Sequence, residues 1–94
     1  MFDIALTQEG AVHLSGRLDA SQVEKAETVL GRLSSSTVID FKDLEYISSA
    51  GLGILLKTQK RLNESGNALK LINMNKMIRD VFHIARFDLI FKIE

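Results

Sequence analysis

The feature that most constrains the fold is an alternation of short apolar segments with longer amphipathic ones. Short runs rich in apolar and β-branched residues predict strands, and apolar residues at helical spacing predict helices between them. The predicted strands are 2–7, 11–15, 37–41, 68–72 and 89–93, and the predicted helices begin near residues 21, 49 and 75 and end before residues 34, 66 and 86. Because strands that alternate with helices pair in parallel through right-handed crossovers, most of the sheet is expected to be parallel.

The ends of the predicted strands and helices refine this fold. The first two strands are separated by the turn Gln8-Glu9-Gly10 and predict an antiparallel hairpin at one edge of the sheet. Segment 37–41 is β-branched and aromatic, which predicts a central strand covered on both faces. Ser21 and Glu24 have the spacing of a capping box and predict the start of the first helix, while Asn73 or Asn75 caps the third. The sequence thus predicts an α/β fold with a mixed, mostly parallel sheet, an antiparallel edge strand and three helices, in the order ββαβαβαβ.

Length, charge and composition exclude several classes of protein. The 94 residues predict one domain over residues 1–94, and their formal net charge of zero argues against direct nucleic-acid binding. The absence of cysteine excludes disulfides and thiolate zinc sites. No apolar run approaches the roughly 20 residues of a membrane span, and the first residues lack the pattern of a signal peptide. We therefore expect a cytoplasmic protein that does not act at a membrane.

The junction between the third strand and the second helix, residues 40–53, is the most informative stretch. Ser48 and Ser49 occupy the predicted start of the helix, where a serine either caps the first turn or lies at a position that attracts a phosphate. Gly51 and Gly53 follow at once, although each glycine in a helix costs about 1 kcal/mol relative to alanine. They predict either a close approach to a neighbouring backbone or a bare helix face for a partner.

Catalysis has little support in the sequence. His13 and His83 have no companion at the spacing of a metal site or a catalytic triad, and Asp40 and Asp43 fit a strand end and a turn. The glycines of the junction match neither the phosphate-binding loop nor the dinucleotide fingerprint, and no lysine follows in the register that a phosphate-binding loop requires. We expect no enzymatic activity, no cofactor and no metal.

Three stretches together resemble the STAS domain family, specifically its small bacterial anti-sigma factor antagonists. The first is Ile47-Ser48-Ser49-Ala50-Gly51-Leu52-Gly53-Ile54, the second is Gly16-Arg17-Leu18-Asp19, and the third runs from Met77 to Ile93. Along the chain, these three stretches occur in the order expected for the family, and together they span nearly the whole sequence. The resemblance implies a STAS-like fold.

The resemblance also implies a partner switch. In that scheme the unphosphorylated domain binds an anti-sigma factor that is also a serine kinase, phosphorylation by the kinase releases it, and a PP2C-type phosphatase restores it. By position the phosphoacceptor is Ser49, with Ser48 as a possible second acceptor. The residues implied in partner binding are Asp19, Ser48, Ala50, Gly51, Leu52 and Gly53.

The sequence departs from the family pattern near the acceptor, and two alternative functions stand beside the partner switch. Ser48 stands where an acidic residue is common, Ala50 where serine or threonine is common, and Arg17 where an acidic residue is common. One alternative is a constitutive accessory subunit, for example of a lipid-transport ATPase or a stress-signalling complex, in which Ser49 is only a cap. The other is a binder of nucleotides or small molecules at residues 51–53.

Overall fold

The computed structural model describes residues 1–94 as a five-stranded sheet with three α-helices. The strands are β1 (Phe2–Leu6), β2 (Val12–Leu18), β3 (Thr37–Ile47), β4 (Leu69–Ile72) and β5 (Lys92–Ile93). The helices are α1 (Val23–Leu30), α2 (Ser49–Asn63) and α3 (Lys76–Ile84), with 3₁₀ turns at Ala20–Gln22 and Phe87–Leu89. The strands are arranged in chain order, β1 antiparallel to β2 and the remaining pairs parallel. The predicted fold class and the antiparallel edge strand are confirmed.

All three helices cover the same face of the sheet. Each crossover from β2 onward moves one strand in the same direction, so right-handed connections place every helix on one side. Alternate strand residues such as Val12, Ile39 and Leu71 are buried in one cluster with Leu55 of α2 and Phe82 of α3. The other face is open to solvent.

The prediction that residues 37–41 are covered on both faces is therefore wrong, although the strand is central. Ile39 and Phe41 are fully buried, whereas Val38 and Asp40, which alternate with them along the strand, are only half-buried. Asp40 accepts hydrogen bonds from the backbone N–H of Lys42 and the side-chain amide of Asn73, contacts that suit the solvated face.

Both β2 and β3 are longer than predicted. β2 continues through residues 16–18, predicted as a loop, and β3 continues through residues 42–47, also predicted as a loop. Their pairing shifts register between His13 and Ser15 and again between Gly16 and Arg17. Each irregularity adds a residue to β3 and breaks the period-two alternation by which a strand is recognised in sequence.

The start of the first helix also differs from the prediction. Asp19, rather than Ser21, caps the 3₁₀ turn: its Oδ1 accepts the Ser21 backbone N–H at 3.0 Å and the Ser21 hydroxyl at 2.6 Å. The α-helix begins only at Val23, and Gln22 before it makes no side-chain cap. The capping-box prediction is wrong because the Ser21 hydroxyl donates to a nearer carboxylate.

The C-terminal third is stabilised by aromatic packing. Asn75, not Asn73, caps α3 through a 2.8 Å bond from the Ile78 backbone N–H. Ile78 and Phe82 are buried, and Ala85 is exposed. The predicted last strand shrinks to Lys92–Ile93 because the preceding residues turn to bring aromatic rings together. The three contacts of the Phe82 ring are edge-on, to Phe41, Phe87 and Phe91, with ring centroids 5.8–6.0 Å apart.

None of the helices is both long enough and apolar enough to cross a membrane.

Candidate functional site

The start of α2 is fixed by Ser48 and by its contact with the end of β2. Ser48 is half-buried, and its Oγ accepts the Gly51 backbone N–H at 3.2 Å, as an N-cap does. Its own backbone N–H donates to the carbonyl oxygen of Leu18 at 2.9 Å. The segment that carries Asp19 and the segment that carries the two serines are therefore neighbours at the carboxyl ends of β2 and β3.

Ser49 has a different environment from Ser48. It is the first residue of α2, its side chain is exposed, and its hydroxyl has no hydrogen-bond partner within the chain. The hypothesis that the serines act as caps therefore holds for Ser48 and is wrong for Ser49. The backbone N–H groups of Ser49 and Ala50 lie in the first turn, where they have no intrahelical acceptor.

The two glycines of this turn also differ. A Cβ on Gly51 would lie 2.8 Å from Ile47 Cγ1, 2.9 Å from Leu18 Cγ and 3.1 Å from the Leu18 carbonyl oxygen, so only glycine lets the helix pack this closely. A Cβ on Gly53 would meet nothing within 4 Å, and Gly53 is exposed. The two interpretations made from sequence therefore each fit one glycine: Gly51 serves packing, and Gly53 leaves the helix face bare.

Ser49, Ala50 and Gly53 form the exposed part of the first two turns, here called the α2 N-terminal surface. Leu52 was predicted to bind a partner, but only 9% of its surface is exposed, and Gly51 is also buried. Both belong to the packed side of α2. These two residues therefore pack α2 against the rest of the fold rather than face the surrounding solvent.

Asp19 lies beside this surface with a structural contact of its own. Its hydrogen bond from the Ser21 side chain, helped by the Ser21 backbone N–H and the charge of Arg17, holds the pKa of Asp19 below its usual value. Asp19 is half-buried, so one side of the carboxylate remains accessible. It contributes a fixed negative charge next to the start of α2.

The open sheet face carries two side-chain pairs that sequence spacing did not predict. His13 Nε2 lies 2.8 Å from Asp43 Oδ2, and the Arg17 guanidinium lies 4.2 Å above the ring of Tyr46. Each pair joins β2 to β3, and the two register shifts decide which side chains meet. On α3, His83 Nδ1 likewise lies 2.8 Å from Asp88 Oδ2. Each histidine thus has one acidic neighbour in the folded chain, a pairing that forms no triad and no cluster of three metal-ligating groups.

A shallow groove of about 430 Å³ continues from Gly53 along the exposed side of α2. It is lined by Gly53, Leu56, Lys57, Lys60, Arg61 and Glu64. Lys57 follows Gly53 by one helical turn and lines this groove with Lys60, so lysines do lie near the glycines, although not in the register of a phosphate-binding loop. None of the three surface depressions includes Ser48 or Ser49, so the two serines lie at an open surface rather than in a pocket.

Known proteins match this chain in sequence. A family model described as "Mlab, STAS domain" matches residues 4–92. BtrV of Bordetella bronchiseptica is 36% identical over 74 residues, which are 79% of this chain and 58% of that protein. The anti-sigma F factor antagonist of Paenibacillus polymyxa is 29% identical over 69 residues, 68% of this chain and 59% of that protein. The chain thus spans less than two thirds of the length of these two relatives.

Solved structures match over the whole sheet and its helices. An anti-sigma factor antagonist from Mycobacterium paratuberculosis superposes with a TM-score of 0.82 at 21% identity, covering 99% of this chain and 83% of that one. Unphosphorylated SpoIIAA gives a TM-score of 0.67 at 20% identity, covering 100% and 87% of the two chains. At these identities the likeness concerns the fold. Together with the family match over residues 4–92, it leads to one conclusion: this chain belongs to the STAS domain family.

Proposed function

We propose that the chain is an anti-sigma factor antagonist that is switched off by phosphorylation of Ser49. The observation that carries this proposal is that the two adjacent serines, Ser48 and Ser49, have different hydrogen bonding and exposure. Ser48 caps α2 and is committed to the fold, whereas the Ser49 hydroxyl is exposed and unbonded. A kinase can therefore modify Ser49 without removing a cap.

The switch follows from charge. A phosphoserine carries about −1.5 to −2 charges at pH 7. At Ser49 it would meet the free N–H groups and the positive end of the α2 dipole, so the fold tolerates it. In a complex formed around a neutral hydroxyl, a desolvation and repulsion cost of ~4 kcal/mol would weaken binding about a thousandfold.

Several relatives support this function by name. The anti-sigma F factor antagonist of Paenibacillus polymyxa and the anti-sigma-B factor antagonist of Bacillus subtilis are among them. SpoIIAA has been solved in phosphorylated as well as unphosphorylated form, and this chain matches both folds. The proposed partners are an anti-sigma factor with serine kinase activity and a PP2C-type phosphatase, all in the cytoplasm. The proposed role is regulatory binding rather than catalysis.

The direct test is the intact mass of the chain after incubation with ATP and an anti-sigma factor kinase from the same organism. We expect one added phosphate on Ser49 that is lost in Ser49→Ala. Ser34→Ala is the matched control, since Ser34 is also exposed and makes no hydrogen bond. Phosphate on Ser48 instead, or no phosphate from a kinase that binds the chain, would contradict the proposal.

Phosphorylation should leave the fold unchanged. We expect amide chemical-shift changes confined to the first turns of α2 and to the adjoining residues at the end of β2. Changes throughout the sheet would show that the phosphate acts by refolding the domain, and would contradict a switch based on charge at a rigid surface.

The second candidate is a constitutive accessory subunit without a phosphoswitch. Ser48 in place of an acidic residue and Ala50 in place of a hydroxyl residue favour it. Ser49→Asp separates the two functions. Binding to the partner should collapse if the chain is a phosphoswitch and should survive if it is a constitutive subunit.

A further inference from the structure

One edge of the sheet is formed by β1, which pairs with β2 and has no strand on its other side. Antiparallel strands bond through alternate residue pairs, so half of the backbone N–H and C=O groups of β1 point away from β2. The Thr7 N–H continues the register and donates to the Ala11 carbonyl oxygen at 2.7 Å, so the odd-numbered residues are the ones bonded to β2. The outward backbone groups are here called the β1 free edge, and they belong to Phe2, Ile4 and Leu6.

The β1 free edge has the features of a strand that pairs readily with another. The strand is five residues long, contains no proline and pairs with β2 without a register shift. The Leu6 side chain at its end is 62% exposed. Such an edge is a template for a further strand, and natural proteins protect it with charged side chains, lysine above all.

A single lysine side chain lies across this edge. Lys25 belongs to α1, on the helix-covered face of the sheet, and its Nζ donates to the outward carbonyl oxygen of Phe2 at 2.9 Å. The same Nζ lies 3.5 Å from Asp3 Oδ1. Asp3 points to the open face, because it alternates with the buried Phe2 and Ile4. The Lys25 side chain therefore passes around β1 from one face to the other, and its ammonium group occupies the space in which a further strand would lie.

The β1 strand is complementary to a second copy of itself. When two copies pair antiparallel about Ile4, all five residues of each strand are matched, and Leu6 of each copy lies opposite Phe2 of the other. In this register the Leu6 N–H donates to the Phe2 carbonyl oxygen of the other copy, and the exposed Leu6 side chain is covered. That carbonyl oxygen is the acceptor of the Lys25 bond, so the ammonium group and the second strand compete for one place.

We propose that Lys25 keeps the chain monomeric by covering the β1 free edge and preventing its pairing with a second copy. This inference goes beyond the proposed phosphoswitch, since it concerns the edge of the sheet and does not depend on Ser49. Its consequence for the switch is that each molecule presents one α2 N-terminal surface, free of a second copy.

The test compares Lys25→Met with the unaltered chain by sedimentation over a range of concentrations. Methionine keeps much of the apolar stem but has neither a charge nor an N–H donor, so the edge is uncovered. We expect the unaltered chain to sediment as a monomer and Lys25→Met to dimerise with a dissociation constant at least about tenfold lower. Lys60→Met places the same side chain at an exposed position of α2, and this control should remain a monomer.

Amide hydrogen exchange locates the contact. In the unaltered chain the Ile4 and Leu6 amides should exchange fast, because they point away from β2, whereas the Ala5 amide should be protected. In Lys25→Met the Ile4 and Leu6 amides should become protected as the concentration rises. Lys25→Met/Leu6→Pro should return to a monomer, because proline removes one outward N–H group and leaves the bonds to β2 in place.

Three results would overturn the proposal. A dimer of the unaltered chain that protects Ile4 and Leu6 would show that Lys25 does not prevent pairing at this edge. A folded Lys25→Met that remains a monomer would show that the lysine is not what prevents pairing. A Lys25→Met dimer that persists with Leu6→Pro would place the contact elsewhere. Sedimentation and exchange of the unaltered chain need no substitution, so the proposal remains falsifiable even if Lys25→Met fails to fold.

Discussion

At the scale of single residues, the start of α2 contains two serines and two glycines, and the two members of each pair have different environments. Ser48 and Gly51 are bound to the fold through a cap and a close contact with β2. Ser49 and Gly53 are free of such contacts and face outward. A pair of matched substitutions can therefore separate stability from partner binding within one helical turn.

The glycine pair should respond in opposite directions. Gly51→Ala forces its Cβ against Ile47 and Leu18, and overpacking of about 1–3 kcal/mol should exceed the helix-propensity gain of about 1 kcal/mol. Gly53→Ala meets no atom and should stabilise the chain by up to about 1 kcal/mol. Urea unfolding measures both. If the α2 N-terminal surface docks a partner, Gly53→Ala should also weaken that complex. Equal stability of the two variants would contradict the packing role of Gly51.

The serine pair makes a second comparison. Ser48→Ala removes the N-cap and should cost about 1 kcal/mol of unfolding free energy. Ser49→Ala removes an unbonded, exposed hydroxyl and should change stability by less than about 0.5 kcal/mol. Thermal or urea unfolding of both variants checks this. A larger loss in Ser49→Ala than in Ser48→Ala would mean that the cap has been assigned to the wrong serine.

At the scale of elements, the eight-residue helix α1 depends on its neighbour α2. Helices this short are unstable alone, and its C-terminal carbonyls need donors. Arg61 of α2 supplies them: its guanidinium donates to the Leu33 carbonyl at 2.7 Å and to the Leu30 carbonyl at 2.9 Å. A second link is the ion pair of Lys57 with Glu27 at 3.1 Å.

Removing the Arg61 guanidinium should loosen α1 selectively. Arg61→Met keeps most of the apolar stem but loses both donated bonds, so we expect a loss of about 1–2 kcal/mol. Hydrogen exchange in residues 23–33 should accelerate more than in β3. Lys60→Met is the control, because Lys60 is exposed and makes no contact of this kind. Uniform acceleration across the chain would contradict a local role.

At the scale of the whole molecule, a sheet covered on one face leaves many charges at the surface, and some of them link distant segments. The hydrogen bond between His83 and Asp88 raises the pKa of His83 and lowers the pKa of Asp88. The hydrogen bond from Lys70 lowers the pKa of Glu94, which follows β5. These contacts fasten the C-terminal segment to α3 and β4. Because the groups are exposed, each contributes only modestly to stability.

The stability of the chain should therefore pass through a shallow maximum in mildly acidic solution. The carboxylates have lowered pKa values, so their contribution is present above the ordinary values of 3.8 and 4.5 and is lost as the pH falls through the folded values. His83 has a raised pKa, so its contribution is present below 6.5 and is lost as the pH rises through the folded value. Urea midpoints across this range measure the curve. His83→Gln should flatten its alkaline side, and an unchanged slope there would contradict the assignment.

The sequence by itself determined the order of elements, the antiparallel edge strand and the position of the junction between β3 and α2. Local patterns carry this information, since periodicity, turn residues and the serine–glycine run at residues 47–54 are all read within a few neighbours. The same patterns identified the STAS resemblance, which the family match confirms.

Only the tertiary structure decided which residue does what at that site. Ser48, and not Ser49, caps α2 because the Ser48 backbone N–H donates to the carbonyl oxygen of Leu18, a residue remote in the chain. The roles of Gly51 and Gly53 differ because Leu18 of β2 packs against Gly51, whereas a Cβ on Gly53 would meet nothing within 4 Å. The open sheet face and the pairing of His13 with Asp43 depend on crossover direction and on two register shifts. All of these contacts join segments that are remote in sequence, so a pattern within a few neighbouring residues does not predict them.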